Sequence, residues 1–190
     1  MRKVIVSEMV SLDGYFARPD GSLDWHVVDD EFNEFARKQL DEMDTLLFGR
    51  VTYEGMASYW PTEGAMTDDP EIAATMNRMP KVVFSRTLKT VDWTNSRLAR
   101  DDLAEEITGL KAQPGKDMVI FGSGEIVSVL TRLGLIDEYR LFVCPVVLGS
   151  GKSLFAGLND TLNLKLLKAQ PFTSGVVLLY YRPASNEQVG

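Results

Sequence analysis

The stretch Val119-Ile120-Phe121-Gly122-Ser123-Gly124-Glu125-Ile126, residues 119–126, decides the fold. An apolar run of strand length feeds a Gly-Ser-Gly turn. Ile126, Val127, Val129, Leu130 and Leu133 then follow at helical spacing, up to Gly134. The first turn of such a helix carries backbone N–H groups without an intrahelical partner, and glycine lets an anion approach them. The motif is not the full G-x-G-x-x-G, because its sixth position is Val127. A tight turn that merely requires small residues is the competing reading.

Two earlier strand ends repeat the arrangement. Phe48-Gly49-Arg50-Val51-Thr52-Tyr53 passes from strand through glycine to Arg and Thr, with a guanidinium fork suited to phosphate at a helix start. Val83-Phe84-Ser85-Arg86-Thr87 sets hydroxyl, guanidinium and hydroxyl after another short apolar run. Either alone is equally an exposed arginine after a strand. Three phosphate-suited strand ends in one sheet are harder to dismiss. Gly149-Ser150-Gly151-Lys152-Ser153 looks like the tail of a P-loop, but Val146 stands where that motif needs glycine. It reads as a structured loop near the site.

Strand and helix patterns alternate along the rest of the chain. Strands are expected over residues 3–10, 45–48, 81–84 and 117–121, with a long one over 139–148 interrupted by Pro145. Helices are expected after Asp29-Asp30-Glu31, over 52–58, 71–79 and about 101–111, and after Gly124. The stretch after Phe84 reads as polar and irregular. Residues 164–169 and 176–182 form an antiparallel-looking pair around Thr173-Ser174-Gly175. The expectation is an α/β domain over residues 1–183. Its central, mostly parallel sheet is flanked by helices and ends in an antiparallel C-terminal hairpin, with a disordered tail over 184–190. Ligands in such folds bind beyond the carboxyl ends of the strands, where the three motifs lie.

Composition narrows the function. Of 190 residues, 20 are Lys or Arg and 27 are Asp or Glu, a net charge of −7. An acidic chain without a basic block is a poor partner for nucleic acid or an anionic membrane. The apolar stretch at the N-terminus stops at Ser7-Glu8, too short for a signal sequence, and no run spans a membrane. With one Cys and one His, neither a disulfide within the chain nor a Cys/His zinc site is available. Cys144 precedes Pro145, so the P-C-x-x-C pair of zinc nucleobase deaminases is absent. A lone reduced Cys suits the cytoplasm.

The candidate acids are Asp13, Asp24 and the Asp29-Asp30-Glu31 cluster. Asp13 in Ser-Leu-Asp-Gly also reads as a turn former, and the cluster as charge complementing a helix N-terminus. Trp25 and His26 lie next to these acids in sequence.

Taken in order, these motifs resemble the dihydrofolate-reductase-like superfamily. The nearer likeness is to the C-terminal reductase domain of bifunctional riboflavin-biosynthesis deaminase-reductases. The matching residues are Ser11-Leu12-Asp13-Gly14, Asp24-Trp25, Gly49-Arg50-Val51-Thr52-Tyr53-Glu54, Val83-Phe84-Ser85-Arg86-Thr87, Gly122-Ser123-Gly124 and Leu148-Gly149-Ser150-Gly151. The resemblance implies an NADPH-dependent oxidoreductase, often a homodimer, acting on a small-molecule pterin- or pyrimidine-like substrate. It implies that Gly122, Ser123 and Gly124, with Glu125 and Ile126 in the same helix turn, hold the pyrophosphate. Gly49, Arg50, Thr52, Ser85 and Arg86 would hold the adenosine end and its 2′-phosphate. Asp13 and Trp25 would line the substrate, and Asp30 or Glu31 would be the catalytic acid. The riboflavin enzymes grip a ribose phosphate with Ser and Arg soon after the matching Trp. Here His26-Val27-Val28-Asp29-Asp30-Glu31 is acidic, with no Arg before Arg37.

Overall fold

All eight residues of the first strand, Val4–Ser11, are buried. A strand with no exposed side chain must be covered on both faces, and it lies inside the sheet. The computed structural model describes residues 1–100, 102–158 and 160–184. The tail expected at 184–190 lies, Ala184 apart, outside the described residues. In chain order the elements are β1 (Val4–Ser11), β2 (Tyr15–Ala17), α1 (Asp30–Asp41), β3 (Met43–Gly49), α2 (Arg50–Tyr59), α3 (Glu63–Asp68), α4 (Pro70–Arg78), β4 (Lys81–Phe84), β5 (Ser96–Leu98), α5 (Leu103–Ala112), β6 (Asp117–Phe121), α6 (Gly124–Arg132), β7 (Glu138–Cys144), β8 (Lys152–Ser153), β9 (Leu164–Pro171) and β10 (Val177–Pro183).

Eight strands form one sheet in the order β5-β4-β3-β6-β1-β7-β10-β9. The first six run parallel, and β10 pairs antiparallel with both β7 and β9. Strand alternation sorts β1 between two layers. Val4, Val6 and Val10 pack with Ile107 and Leu110 of α5 and Ile126, Val127 and Leu130 of α6. Ile5 packs with Leu40 of α1, Tyr53 of α2 and Ile72 and Met76 of α4. Further along that second face, Met9, Phe142 and Leu178 meet Trp25, Phe32 and Phe35. The Phe32 and Phe35 rings stand edge-on to Phe142 at 5.2 and 5.3 Å.

A polar row crosses the α1 face between these apolar patches. Ser7, Arg140 and Tyr180 are register neighbours on β1, β7 and β10. Arg140 is buried. It donates to Glu138 Oε1 at 2.7 Å, Gln39 Oε1 at 3.2 Å and Glu42 Oε2 at 3.0 Å. Gln39 in turn donates to Ser7 Oγ at 3.0 Å. One guanidinium therefore fastens the last turn of α1 to the sheet.

The structure moves several expected boundaries. The long strand expected over 139–148 ends at Cys144, because Pro145 has no N–H for a ladder and Val146 N–H turns back to Cys144 O at 2.8 Å. The polar stretch after Phe84 contains β5, which pairs with β4. Helix α2 starts at Arg50 rather than Thr52. The loop at 149–153 is structured by β8, which pairs with β2. No described helix is long and apolar enough to cross a membrane.

Removing Arg140 leaves buried Glu138 with only the more exposed Lys3, at 4.0 Å, as a counter-ion. Arg140→Ala is expected to lower stability by about 3–5 kcal/mol in urea unfolding. The exposed Lys38–Glu34 pair is the control, since Lys38→Ala is expected to change stability by under about 0.5 kcal/mol.

Candidate active site

The sheet opens between β1 and β6. These strands pair only as far as Ser7 with Phe121, whereas β1 and β7 continue to Ser11 with Cys144. Beyond Phe121 the chain turns through Gly122-Ser123 into α6, so the two strands part at the carboxyl end of the sheet, the place where open α/β sheets have their binding crevice. Met118 N–H donates to Lys3 O across this pair. Alternation then points the backbone of Ile5, Ser7 and Met9 toward β6, so the Met9 N–H and C=O face the crevice.

The helix starts differ in a way that marks a site. Asp29, Thr62, Asp69 and Asp102 cap α1, α3, α4 and α5 with their side chains. α2 and α6 begin at Gly49 and Ser123 with no side-chain cap. These two helices follow the adjacent strands β3 and β6. Their free N–H groups and aligned dipoles make a positive, uncharged lining.

Hydrogen bonds stitch the two starts together. Gly49 N–H donates to Ser123 Oγ at 2.9 Å, and Ser123 N–H donates to Thr52 Oγ1 at 2.9 Å. Each hydroxyl accepts one bond there and keeps its O–H donor for a ligand. Gly122 has φ +63°, and a Cβ on it would meet Thr52 Cγ2 at 3.1 Å. A Cβ on Gly124 would strike the Phe16 ring, so β2 lies against the start of α6. Ser123 itself sits in the left-handed region, with φ 62° and ψ 45°, strain that the two stitching bonds hold in place.

The remaining cofactor candidates lie around this cradle. Arg50 is exposed and pairs with Glu54 at 3.0 Å, one helical turn on. Arg86 is exposed at the end of β4. Ser85 Oγ accepts from Thr87 N–H at 3.2 Å and Leu88 N–H at 3.0 Å, which shapes the turn that carries Arg86. Glu125 is exposed and Ile126 is buried in the core, so these two offer the cradle backbone N–H groups rather than side chains.

The acid candidates are mostly engaged in fastening loops. The Asp13 carboxylate accepts from Ser11 Oγ at 2.6 Å, Leu148 N–H at 3.1 Å and Gly149 N–H at 2.8 Å. The Ser11 bond is the main reason its pKa lies below the usual carboxylate value. Asp24 pairs with Arg18 at 2.6 Å. Glu31 accepts from Thr173 N–H at 2.8 Å, tying α1 to the β9–β10 turn. Asp30 is exposed.

Unpaired polar atoms lie elsewhere. Trp25 is buried, and its Nε1 has no partner among the described residues. The His26 ring stands edge-on to it at 4.5 Å, with Nε2 likewise buried and unpartnered. Burial pushes the His26 pKa down, which favours the neutral ring. Glu8, not singled out from the sequence, is another such residue, and the only carboxylate among those described. It is 6% exposed and its Oε2 has no partner. The available signal was one carboxylate inside the run Val4-Ile5-Val6-Ser7-Glu8-Met9-Val10.

The mostly parallel sheet with its antiparallel C-terminal strands has a dihydrofolate-reductase-like α/β fold. The dihydrofolate reductase of Enterococcus faecalis, solved with NADP(H), superposes with a TM-score of 0.65 at 15% identity, covering 96% of this chain and 97% of that one. More narrowly, the chain belongs to the RibD C-terminal domain family, which it matches over residues 2–178. It is 35% identical over 182 residues to the uncharacterized protein YyaP of Bacillus subtilis (strain 168), covering 95% of this chain and 94% of that one. It is also similar to the crystal structure of the "Putative riboflavin biosynthesis protein" of Shewanella sp. PV-4. That match has a TM-score of 0.74 and 26% identity, and covers 96% and 99% of the two chains. Membership of this RibD-like reductase family points to an oxidoreductase.

Burial pushes the Glu8 carboxyl up to about 8, from an ordinary 4.5. The folded state therefore favours its neutral form. Its contribution to stability is fully present below about pH 4.5 and is lost as pH rises toward 8, by about 1.4 kcal/mol per unit. Melting curves of wild type and Glu8→Gln are expected to diverge over that range, the variant gaining relative stability as pH rises. Parallel curves would contradict the assignment.

Proposed function

We propose that the protein is an NADPH-dependent reductase that delivers hydride to a pyrimidine- or pterin-like ring, of the 5-amino-6-(5-phosphoribosylamino)uracil reductase type. The observation that carries this reading is the pair of uncapped, mutually bonded helix starts at the mouth of the β1–β6 crevice. A dinucleotide pyrophosphate fits such a cradle, since Gly122 and Gly124 present no side chain and the Ser123 and Thr52 hydroxyls retain donors. When bound, the nicotinamide cofactor supplies the hydride.

The chain's own residues then bind, orient and exclude water. The backbone N–H groups opening α6, with the Ser123 hydroxyl, would hold the pyrophosphate. Arg50 and Arg86 would hold the 2′-phosphate. A net charge of −7 gives that group no general attraction, so local cations must capture it. Trp25 Nε1 and His26 Nε2 offer uncharged hydrogen-bonding atoms to a polar ring.

One observation separates this reading from a true dihydrofolate reductase, and a second bears on whether the substrate's phosphate is held. Glu31 is tied to Thr173 and Asp30 is exposed, so neither is a buried, unengaged carboxylate facing a ring. Arg37, the first Arg after Trp25, is spent on Asp69 at 2.5 Å. We therefore favour a substrate whose ring, rather than a phosphate, is gripped here. The reading includes a cytoplasmic homodimer. It is supported by the single buried Cys144 and by the edge strand β9, where Leu166 and Leu167 are 50% and 48% exposed.

The test is loss of NADPH absorbance against dihydropterins and aminopyrimidines, with and without ribose phosphate, joined to cofactor titrations. NADPH is expected to bind more tightly than NADH. Arg50→Ala and Arg86→Ala are each expected to weaken NADPH about tenfold or more and to leave NADH nearly unchanged. Equal affinity of the wild type for both cofactors would overturn the role of the arginines.

A further inference from the structure

Glu8 is a buried acid to which the site described so far gives no task. It stands one residue beyond the last β1–β6 pair, Ser7 with Phe121, and opposite Leu141 of β7. Its side chain shares the face of Val6 and Val10, against α6. The Met9 N–H, the backbone donor that alternation turns into the crevice, lies close enough to the carboxyl to offset part of the effect of burial. Its other oxygen, Oε2, is buried without a partner.

The elements packed on that face bring no counter-charge. β7 contributes Leu141 and Tyr139, whose hydroxyl pairs with Thr131 at 2.9 Å. α6 contributes Ile126 and Val127, with Glu125 exposed. β6 ends there in Phe121, with Gly122 following in the turn, and β2 brings Phe16 beside Tyr15. Among the described residues no charged group acts on Glu8, and burial is the dominant influence on it. Near neutral pH the group is a planar neutral acid with one O–H donor and one carbonyl acceptor.

A primary carboxamide is the complement of that group. The acid O–H donates to the amide oxygen, and an amide N–H donates to the acid's carbonyl oxygen, in two parallel bonds. Resting on the cofactor reading above, we propose that protonated Glu8 holds the nicotinamide carboxamide in the opening between β1 and β6 and so fixes the ring's orientation there. Ionised Glu8 has only acceptors and faces the amide oxygen with negative charge, so cofactor grip weakens as the acid ionises.

The test compares NADPH with adenosine 2′,5′-bisphosphate, which has the 2′-phosphate and no nicotinamide. Both are titrated calorimetrically into wild type, Glu8→Gln and Glu8→Leu from about pH 6.5 to about pH 9.5. The bisphosphate is expected to bind all three alike, which also shows that the variants fold. Glu8→Leu is expected to bind NADPH about tenfold more weakly at the lower pH. Glu8→Gln, with a donor and an acceptor but no titration, is expected to match wild type there and to hold its affinity where wild type falls above about pH 8. Undiminished NADPH binding by Glu8→Leu, or an identical pH profile for wild type and Glu8→Gln, would overturn the proposal and leave the cofactor reading standing. Failure of the wild type to bind either compound would overturn both.

Discussion

Two short bonds, from Gly49 N–H to Ser123 Oγ and from Ser123 N–H to Thr52 Oγ1, hold the ends of β3 and β6 in one piece. They fix Ser123 in a left-handed conformation that a side-chain-bearing residue seldom adopts. The N-cap of α2 is Gly49, which has no side chain, and the Ser123 hydroxyl at the start of α6 accepts from Gly49 N–H instead of from its own helix. The starts of α2 and α6 are therefore left open side by side, while four other helices are closed by Asp or Thr. Uncapped N–H groups are a cost to a folded chain unless water or a ligand meets them. Their pairing at the mouth of a sheet opening is what the functional reading depends on.

The polar groups inside the sheet fall into two kinds. On the α1 face, Arg140, Glu138, Gln39 and Ser7 satisfy one another and give rigidity. On the α6 face, Glu8 is left with a free oxygen at the point where β1 loses its β6 partner. The first arrangement explains how α1 is anchored. The second is strained by burial and is placed where a ligand's polar group would enter.

Much of this was legible in the sequence. β-branched runs ended by glycine gave the parallel strands, and β6 was expected over the residues it occupies. Gly-Arg and Gly-Ser-Gly after strands marked the helices that turn out uncapped. What escaped was non-local or too short to carry a period. β5 is three residues, Ser96-Arg97-Leu98, without alternation. The partner of Glu31 lies 142 residues away, and that of Asp13 lies 136 away, so acids that looked free are engaged. Glu8 was hidden because alternation cannot say which polar residue is buried when both faces of a strand are covered.

The central claim is that the open starts of α2 and α6 together receive a phosphate-bearing cofactor. Backbone amide NMR during NADPH addition tests it most directly. The account predicts that the largest amide shifts fall on residues 50–53 and 123–127, with the capped starts of α1, α4 and α5 nearly unmoved. Shifts centred on those capped helices, or none in either open turn, would contradict it.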